Sequence, residues 1–317
     1  MRPASARPWA AFRICCTTPA TWGTIGAGVS AAHLLGADAD QIAQTIDGAA
    51  AVALFPYRAT PMAGATIHHL YIGLGAAIGL AAAQGVMAGL TALPGTLENF
   101  FGPRAGFAFN IDKLGAGISN GTWAQYEVLN AHIKVRPVCA HIATVMDTVM
   151  DFVAQHGITG ADVAKGDVGL YATALQYHSA VPAGDLAARF SIDTMIALAL
   201  IKGITLEQDI SMAALNDAKV RDLARRINVH HDPALDADYP AGRPSIVTLT
   251  LKDGRVLTQR ATFPRGDVTN PIDRTERRDK ARKLFGASAD KILTAFDTFV
   301  AGAPIAPLAQ ALRSPHA

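Results

Sequence analysis

The sequence predicts an α+β fold: an all-α first part, an α+β middle with an antiparallel hairpin, and a helical end. Three observations predict it. Residues 21–35 and 71–90 are rich in Ala and Gly, the composition of helices whose backbones approach closely. Residues 245–252 and 255–263 alternate polar and apolar side chains around Asp253-Gly254, the pattern of a hairpin with a two-residue turn. After Pro271 the chain becomes charged and helical again. A length of 317 residues exceeds one typical core, so two domains are expected.

Along the chain, residues 21–35 read as a small-residue helix that Gly36 stops. Asp38 or Asp40 caps the next helix, which runs through Ile42, Ile46 and Ala49 until Pro56 and Pro61 break the chain. A loop over 58–69 leads into the Ala/Gly helix, ended by Pro94-Gly95. Residues 70–93 are uncharged and long enough to suggest a membrane span. Their make-up is Ala and Gly rather than Leu and Phe, so they read as a tightly packed helix, with no membrane contact. A short helix over 107–114 and a flexible join at Gly115, Gly117 and Gly121 follow.

Residues 126–135 then read as extended, 140–155 as a helix, 163–174 as a strand and 189–201 as an apolar helix. A charged amphipathic helix over 218–227 and a short strand over 227–231 precede the hairpin. Residues 274–285 and 290–300 are helices, and the end with Pro304, Pro307 and Pro315 is expected to trail over the surface. Residues 1–22 carry Arg2, Arg7 and Arg13 as a presequence would, but Pro3 and Pro8 interrupt any amphipathic helix, and they read as an irregular start.

Chemistry concentrates in one stretch. His132, Lys134, Arg136, Cys139 and His141 fall within ten positions of a chain that is 17% charged. Pro137 restricts Arg136 to extended geometry, which sets Lys134 and Arg136 on one side of the segment. Ile142, Val145, Met146, Val149, Met150 and Val153 then bury one face of a helix whose first N–H groups face the basic cluster. Such a junction suits an anion, most simply a carboxylate. A junction with merely solvated basic residues has the same pattern. Arg189, at the start of an apolar helix, is poorly placed for the helix dipole, which favours a specific anionic partner.

Other classes are excluded. Lys and Arg number 28 against 26 Asp and Glu, with no basic run among aromatics, so no nucleic acid is expected as a partner. Cys15, Cys16 and Cys139 form neither a disulfide framework nor a metal spacing, as suits a reducing cytoplasm. Without HExxH, CxxC or an Asp-rich calcium loop, no metal and no cofactor is expected. His230-His231-Asp232 cannot turn three adjacent side chains onto one ion in an extended strand.

Several blocks, in order over nearly the whole chain, resemble the MmgE/PrpD family of 2-methylcitrate dehydratase. They are Ala20-Thr-Trp-Gly-Thr-Ile-Gly26 with His33-Leu-Leu-Gly36, Leu97-Glu-Asn-Phe-Phe-Gly-Pro-Arg-Ala-Gly-Phe107, Lys134-Val-Arg-Pro-Val-Cys-Ala-His141, Ala188-Arg-Phe-Ser-Ile192 and Gly266-Asp-Val-Thr-Asn-Pro-Ile272. The resemblance implies an all-α helical domain built from both chain ends, 1–122 plus 272–317, with a smaller α+β domain inserted over 123–271, a homodimer, and a site between the domains. The family includes methylcitrate dehydratases, cis-aconitate decarboxylases and epimerases of small dicarboxylates. They share removal of a proton, or loss of CO₂, next to a carboxylate without a metal. The resemblance also implies that part of the relatives' N-terminal helical region, with an aspartate and a histidine of the site, is lacking. Cys16-Thr-Thr-Pro19 stands where relatives read Phe-His-Pro-Thr, and Ile142-Ala143 where they carry a second histidine.

Carried over by position, His68 stands where decarboxylase relatives show a lysine, in His68-His-Leu-Tyr-Ile-Gly73. Tyr177 falls near a tyrosine of the relatives' site, and Arg189 matches a basic residue ahead of Phe-Ser. The implied roles are proton transfer by His68 and Tyr177, and carboxylate binding by Lys134, Arg136, His141, Arg189 and His69. The expected function is a cofactor-free lyase that removes an α-proton and water from a small di- or tricarboxylate. Decarboxylation or epimerisation on the same site, or a non-catalytic remnant that binds a carboxylate or a partner, fits the same residues. An exposed apolar face on the first domain, covered by a partner subunit or responsible for poor solubility, is also expected.

Overall fold

The computed structural model describes residues 18–105, 118–119, 122–123, 126–203 and 210–313. They form two compact units, Met1–Gln125 and Tyr126–Ala317. The short helix expected over 107–114 and the glycines of the join lie outside the described residues. That both chain ends build one helical domain remains a proposal.

In the first unit α1 (Thr18–Leu34), α2 (Ala39–Ala51) and α3 (Leu70–Met87) pack together. Asp38 begins α2 with a reciprocal cap: its carboxylate accepts the Gln41 N–H at 2.9 Å, and the Gln41 side chain accepts the Asp38 N–H at 3.0 Å. α1 and α3 meet backbone to backbone, which only glycine permits. A Cβ at Gly79 would lie 2.2 Å from the Thr24 carbonyl oxygen and 2.8 Å from the Gly28 nitrogen. The buried Thr24 hydroxyl is satisfied within its own helix by the Ala20 carbonyl, 2.9 Å away. At the end of α2, Asp47 accepts the N–H groups of Gly95 and Leu97, both at 3.0 Å. That fixes the turn delivering Phe101 into a core with Ala50 and Leu97, where Trp22 meets it edge-on at 4.7 Å.

Outside this seam α3 is apolar and exposed, at Ile72, Leu74 and Leu80. Residues 66–87 are long and apolar enough to cross a membrane by length and composition, and 22% of their most apolar window is buried within the protein.

Two substitutions on α3 separate helix propensity from close packing. Gly73→Ala meets nothing within 4 Å and should leave stability unchanged or raise it by up to about 1 kcal/mol. Gly79→Ala should lose about 1–3 kcal/mol or more by overpacking. Urea denaturation of the full chain compares them, and equal midpoints would refute the close seam.

The second unit is built on a four-stranded sheet. β1 (Val163–Leu170) lies between β2 (Ile227–His231), parallel to it, and β3 (Ser245–Leu251), antiparallel to it; β4 (Val256–Ala261) closes the order β2-β1-β3-β4. Three helices pack against the strands and each other: α4 (Ala143–His156), α5 (Ile192–Lys202) and α6 (Ala218–Arg225). α5 is buried from Ile192 to Leu200: after the polar Asp193 and Thr194 of its first turn, every residue from Met195 to Leu200 is apolar, as a helix enclosed by others requires. α7 (Arg274–Phe285), α8 (Ala289–Val300) and α9 (Ala306–Arg313) complete the unit.

Four local expectations are corrected. The hairpin turn has three residues, because Leu251 N–H bonds the Arg255 carbonyl at 2.8 Å and Gly254 takes a left-handed φ of +89°. Residues 127–130 form a 3₁₀ turn instead of an extended run. The strand expected over 163–174 stops at Leu170, and a 3₁₀ turn follows. The end of the chain is helical, since Pro307 falls in the first turn of α9, where a missing N–H costs nothing, and Leu308 and Ala311 are buried.

Candidate active site

The second unit gathers a histidine and three tyrosines where β1 ends. Tyr171 directly follows β1 and is 1% exposed; Tyr177 ends the 3₁₀ turn Ala172–Gln176 and is 2% exposed. Strand pairing sets Leu170 opposite Ser245, which brings the residues before β3, Tyr239 and Arg243, to the same end of the sheet. His141 arrives on the 3₁₀ turn Ala140–Ile142 that opens α4. Its Nδ1 lies 2.5 Å from the Tyr171 hydroxyl, and its ring stacks on Tyr177 with centroids 5.1 Å apart. Tyr239 stacks on Tyr171 at 4.7 Å, and the Arg243 guanidinium lies over Tyr239 at 5.2 Å.

Buried hydrogen bonds hold this group in place. The Thr144 hydroxyl donates to the Arg243 carbonyl at 2.6 Å and accepts from the Ser245 hydroxyl at 3.0 Å, tying the start of α4 to the start of β3. Burial pushes the Tyr171 phenol far above its ordinary pKa despite Arg243 nearby, so it stays protonated.

Of the residues expected in a site, the structure brings His141 and Tyr177 into ring contact. Arg189 joins them through the backbone, since its carbonyl accepts the Cys139 N–H at 2.9 Å. It does not start an apolar helix: it caps the short helix Asp185–Ala188, and α5 begins after it, at Ser191. Its Nη2 is 3.4 Å from Asp185, and its Nε is buried without a hydrogen-bond partner among the described residues.

Arg136 forms an ion pair with Asp147 on α4, each side chain 17% exposed. The chain bends there: Val138 N–H returns to the Arg136 carbonyl at 2.9 Å, so Lys134 and Arg136 do not share the side of a straight strand. Lys134 is exposed, and among the described residues no carboxylate lies within ion-pair distance of its amine. Lys134, Arg136, His132 and Arg265 line a small cavity with Asp147 as its carboxylate. Burial raises the Asp147 carboxyl above the usual range, and the attraction of Arg136 does not overcome it.

His68 and His69 belong to the first unit, on a 3₁₀ turn that runs into α3. The His68 ring meets Tyr71 edge-on at 5.4 Å, and its Nδ1 is buried without a hydrogen-bond partner among the described residues. Burial, and then the neighbouring His69, hold its pKa below that of a free histidine, so it is neutral at pH 7. Among the described residues no group of three or more His, Cys, Asp or Glu could hold a metal.

Fold and geometry together define an α+β domain with a buried histidine–tyrosine cluster at one end of its sheet. Residues 137–294 match the MmgE/PrpD C-terminal domain, and the chain belongs to the MmgE/PrpD family. The match contains His141, Tyr177 and Arg189 and begins just after Arg136. No curated protein matches the chain.

Sequence reading missed Tyr171, Tyr239, Arg243 and Asp147. Asp147 had a local signal, a carboxylate on a largely buried helix eleven positions after Arg136. The other three had none, because sheet pairing assembles them.

Removing Arg136 leaves the Asp147 charge without its counter-ion. Arg136→Met should cost roughly 2–4 kcal/mol near pH 7. A carboxyl whose folded pKa is raised gives stability that is full below its unfolded pKa and lost as pH rises through the folded value. The deficit relative to wild type should therefore shrink as pH falls toward about 4, where the neutral acid needs no cation. Denaturation of both proteins at pH 7 and pH 4.5 checks it; a loss independent of pH contradicts it.

Proposed function

We propose that the protein is a cofactor-free lyase of the 2-methylcitrate dehydratase type, acting on a small di- or tricarboxylate by α-proton removal and loss of water. The observation that carries this reading is the His141–Tyr171–Tyr177 cluster within the matched family domain. Burying a substrate with several carboxylates needs matched donors, and loss of a proton beside a carboxylate needs cations for the developing charge. Lys134, Arg189 and His141 supply them, with Arg136 contributing less because Asp147 already neutralises it. His68, neutral with a free buried nitrogen, suits the base, with His69 beside it as a carboxylate contact. Tyr177, a buried phenol, suits the acid that protonates the leaving hydroxyl. Convergence of the two histidines with the second unit's residues is part of the proposal. So are a homodimer covering the apolar surface of α3 and residence in the cytoplasm.

Decarboxylation or epimerisation would use the same groups and differ only in what leaves. Incubation with citrate-like and aspartate-like acids in D₂O, followed by NMR, tests the reading. Solvent deuterium should enter the α-carbon in the wild type, and exchange should fall at least tenfold in His68→Ala and Tyr177→Phe. Because the His68 pKa is lowered, the acid limb of the exchange rate should lie below about pH 6.5. Millimolar binding without exchange would reduce the protein to a carboxylate binder, and no binding by any of these acids would end the proposal.

A further inference from the structure

We propose that Tyr171 is a positioning residue that fixes the tautomer of His141, holding the proton of the neutral imidazole on Nε2 so that the ring acts as a hydrogen-bond donor there. The assignment rests on counting donors. The Tyr171 side chain is 1% exposed, and among the described residues its hydroxyl has one hydrogen-bond partner, His141 Nδ1, at 2.5 Å. A buried hydroxyl proton without an acceptor costs about 1–3 kcal/mol. If Nδ1 carried the proton, the phenol could only accept and its own proton would be stranded. With the phenol donating, Nδ1 is the acceptor, and the proton of a neutral imidazole must sit on Nε2.

The surroundings hold this arrangement. Among the described residues Arg243, Tyr239, Cys139 and Tyr177 act on Tyr171 beside His141, and none of these is a carboxylate. Tyr239 clamps the Tyr171 ring from one side, and Arg243 backs Tyr239 in turn. Burial keeps the phenol protonated, so it cannot accept a proton relayed from His141. His141 is thereby a donor and not the base that removes the α-proton, a consequence that rests on the proposed function. The tautomer itself does not.

The experiment therefore uses the ligand-free full chain, labelled with ¹⁵N-histidine, with two-bond ¹H–¹⁵N spectra at pH 7. His141 is assigned by the signal lost in His141→Gln. Expected in the wild type is one neutral form protonated at Nε2, with Nδ1 shifted as a hydrogen-bonded acceptor. In Tyr171→Phe the Nδ1 resonance should move to the position of a free pyridine-type nitrogen, and the tautomers should relax toward the mixture of free imidazole. Tyr239→Phe, which disturbs the same stack but leaves the Tyr171 hydroxyl, should keep the wild-type Nδ1 signature. A wild-type His141 that is protonated at Nδ1 overturns the proposal even if neither variant folds. So does a Tyr171→Phe spectrum that matches the wild type. Absence of substrate exchange alongside the expected tautomer would count against the lyase reading alone.

Discussion

The second unit depends on how the buried start of α5 is satisfied. A helix enclosed on all sides cannot leave its first N–H groups to water, so its amino end needs polar side chains inside the protein. Ser191 accepts the Thr194 N–H, and its hydroxyl lies 2.7 Å from both the Ser179 carbonyl and the Asp193 carboxylate, so its one proton serves one of them at a time. Asp193 accepts the Ser179 N–H at 2.7 Å, and Thr194 donates to the Ser179 carbonyl at 2.6 Å. Ile192 N–H closes the set by bonding the Tyr177 carbonyl at 3.0 Å. The polar groups that make a buried helix possible are thus the same ones that set Tyr177 in its place.

That coupling gives the candidate site its rigidity. Tyr177 is anchored through α5, Tyr171 through the end of β1, Arg243 through Thr144, and His141 through the turn that opens α4. Three stretches far apart in sequence, at 141, 171–177 and 239–243, contribute the rings and the cation. No single loop can shift its residue without breaking a buried hydrogen bond, and breaking such a bond costs the full desolvation of the group left behind. A site that binds a carboxylate needs this stiffness, because a donor that moves with its ligand forfeits the advantage of preorganisation.

What the sequence made legible follows the range of each physical rule. Ile227–His231 and Arg274–Phe285 came out at their observed bounds because alternation and capping are local. The hairpin was legible while its turn length was not, since one ladder bond from Leu251 to Arg255 decides between two and three loop residues. Asp38 was one of two candidate caps, and the reciprocal bond with Gln41 selects it. The basic cluster was legible as a cluster, but not the distribution of its charges. A carboxylate at Asp147 takes Arg136, while among the described residues none pairs with Lys134, and that depends on where α4 turns its face. Tyr171 escaped entirely: it lies thirty residues from His141, and only the β1–β3 register brings its end of the sheet beside α4.

The two histidines to which the proposed function gives roles are set apart by their hydrogen bonds more than by their sequence surroundings. His68 has a buried nitrogen with nothing to bond and a pKa held below the ordinary value, so it is neutral and has a lone pair to offer. His141 has its Nδ1 lone pair engaged by a phenol that burial keeps protonated. In the proposed function one ring takes a proton and the other donates a hydrogen bond. Enzymes that work near neutral pH without a cofactor need such a division between groups of the same kind, and environment rather than residue type produces it. In this protein the environments are a helix-entry turn that leaves one nitrogen unmatched and a sheet end that matches the other.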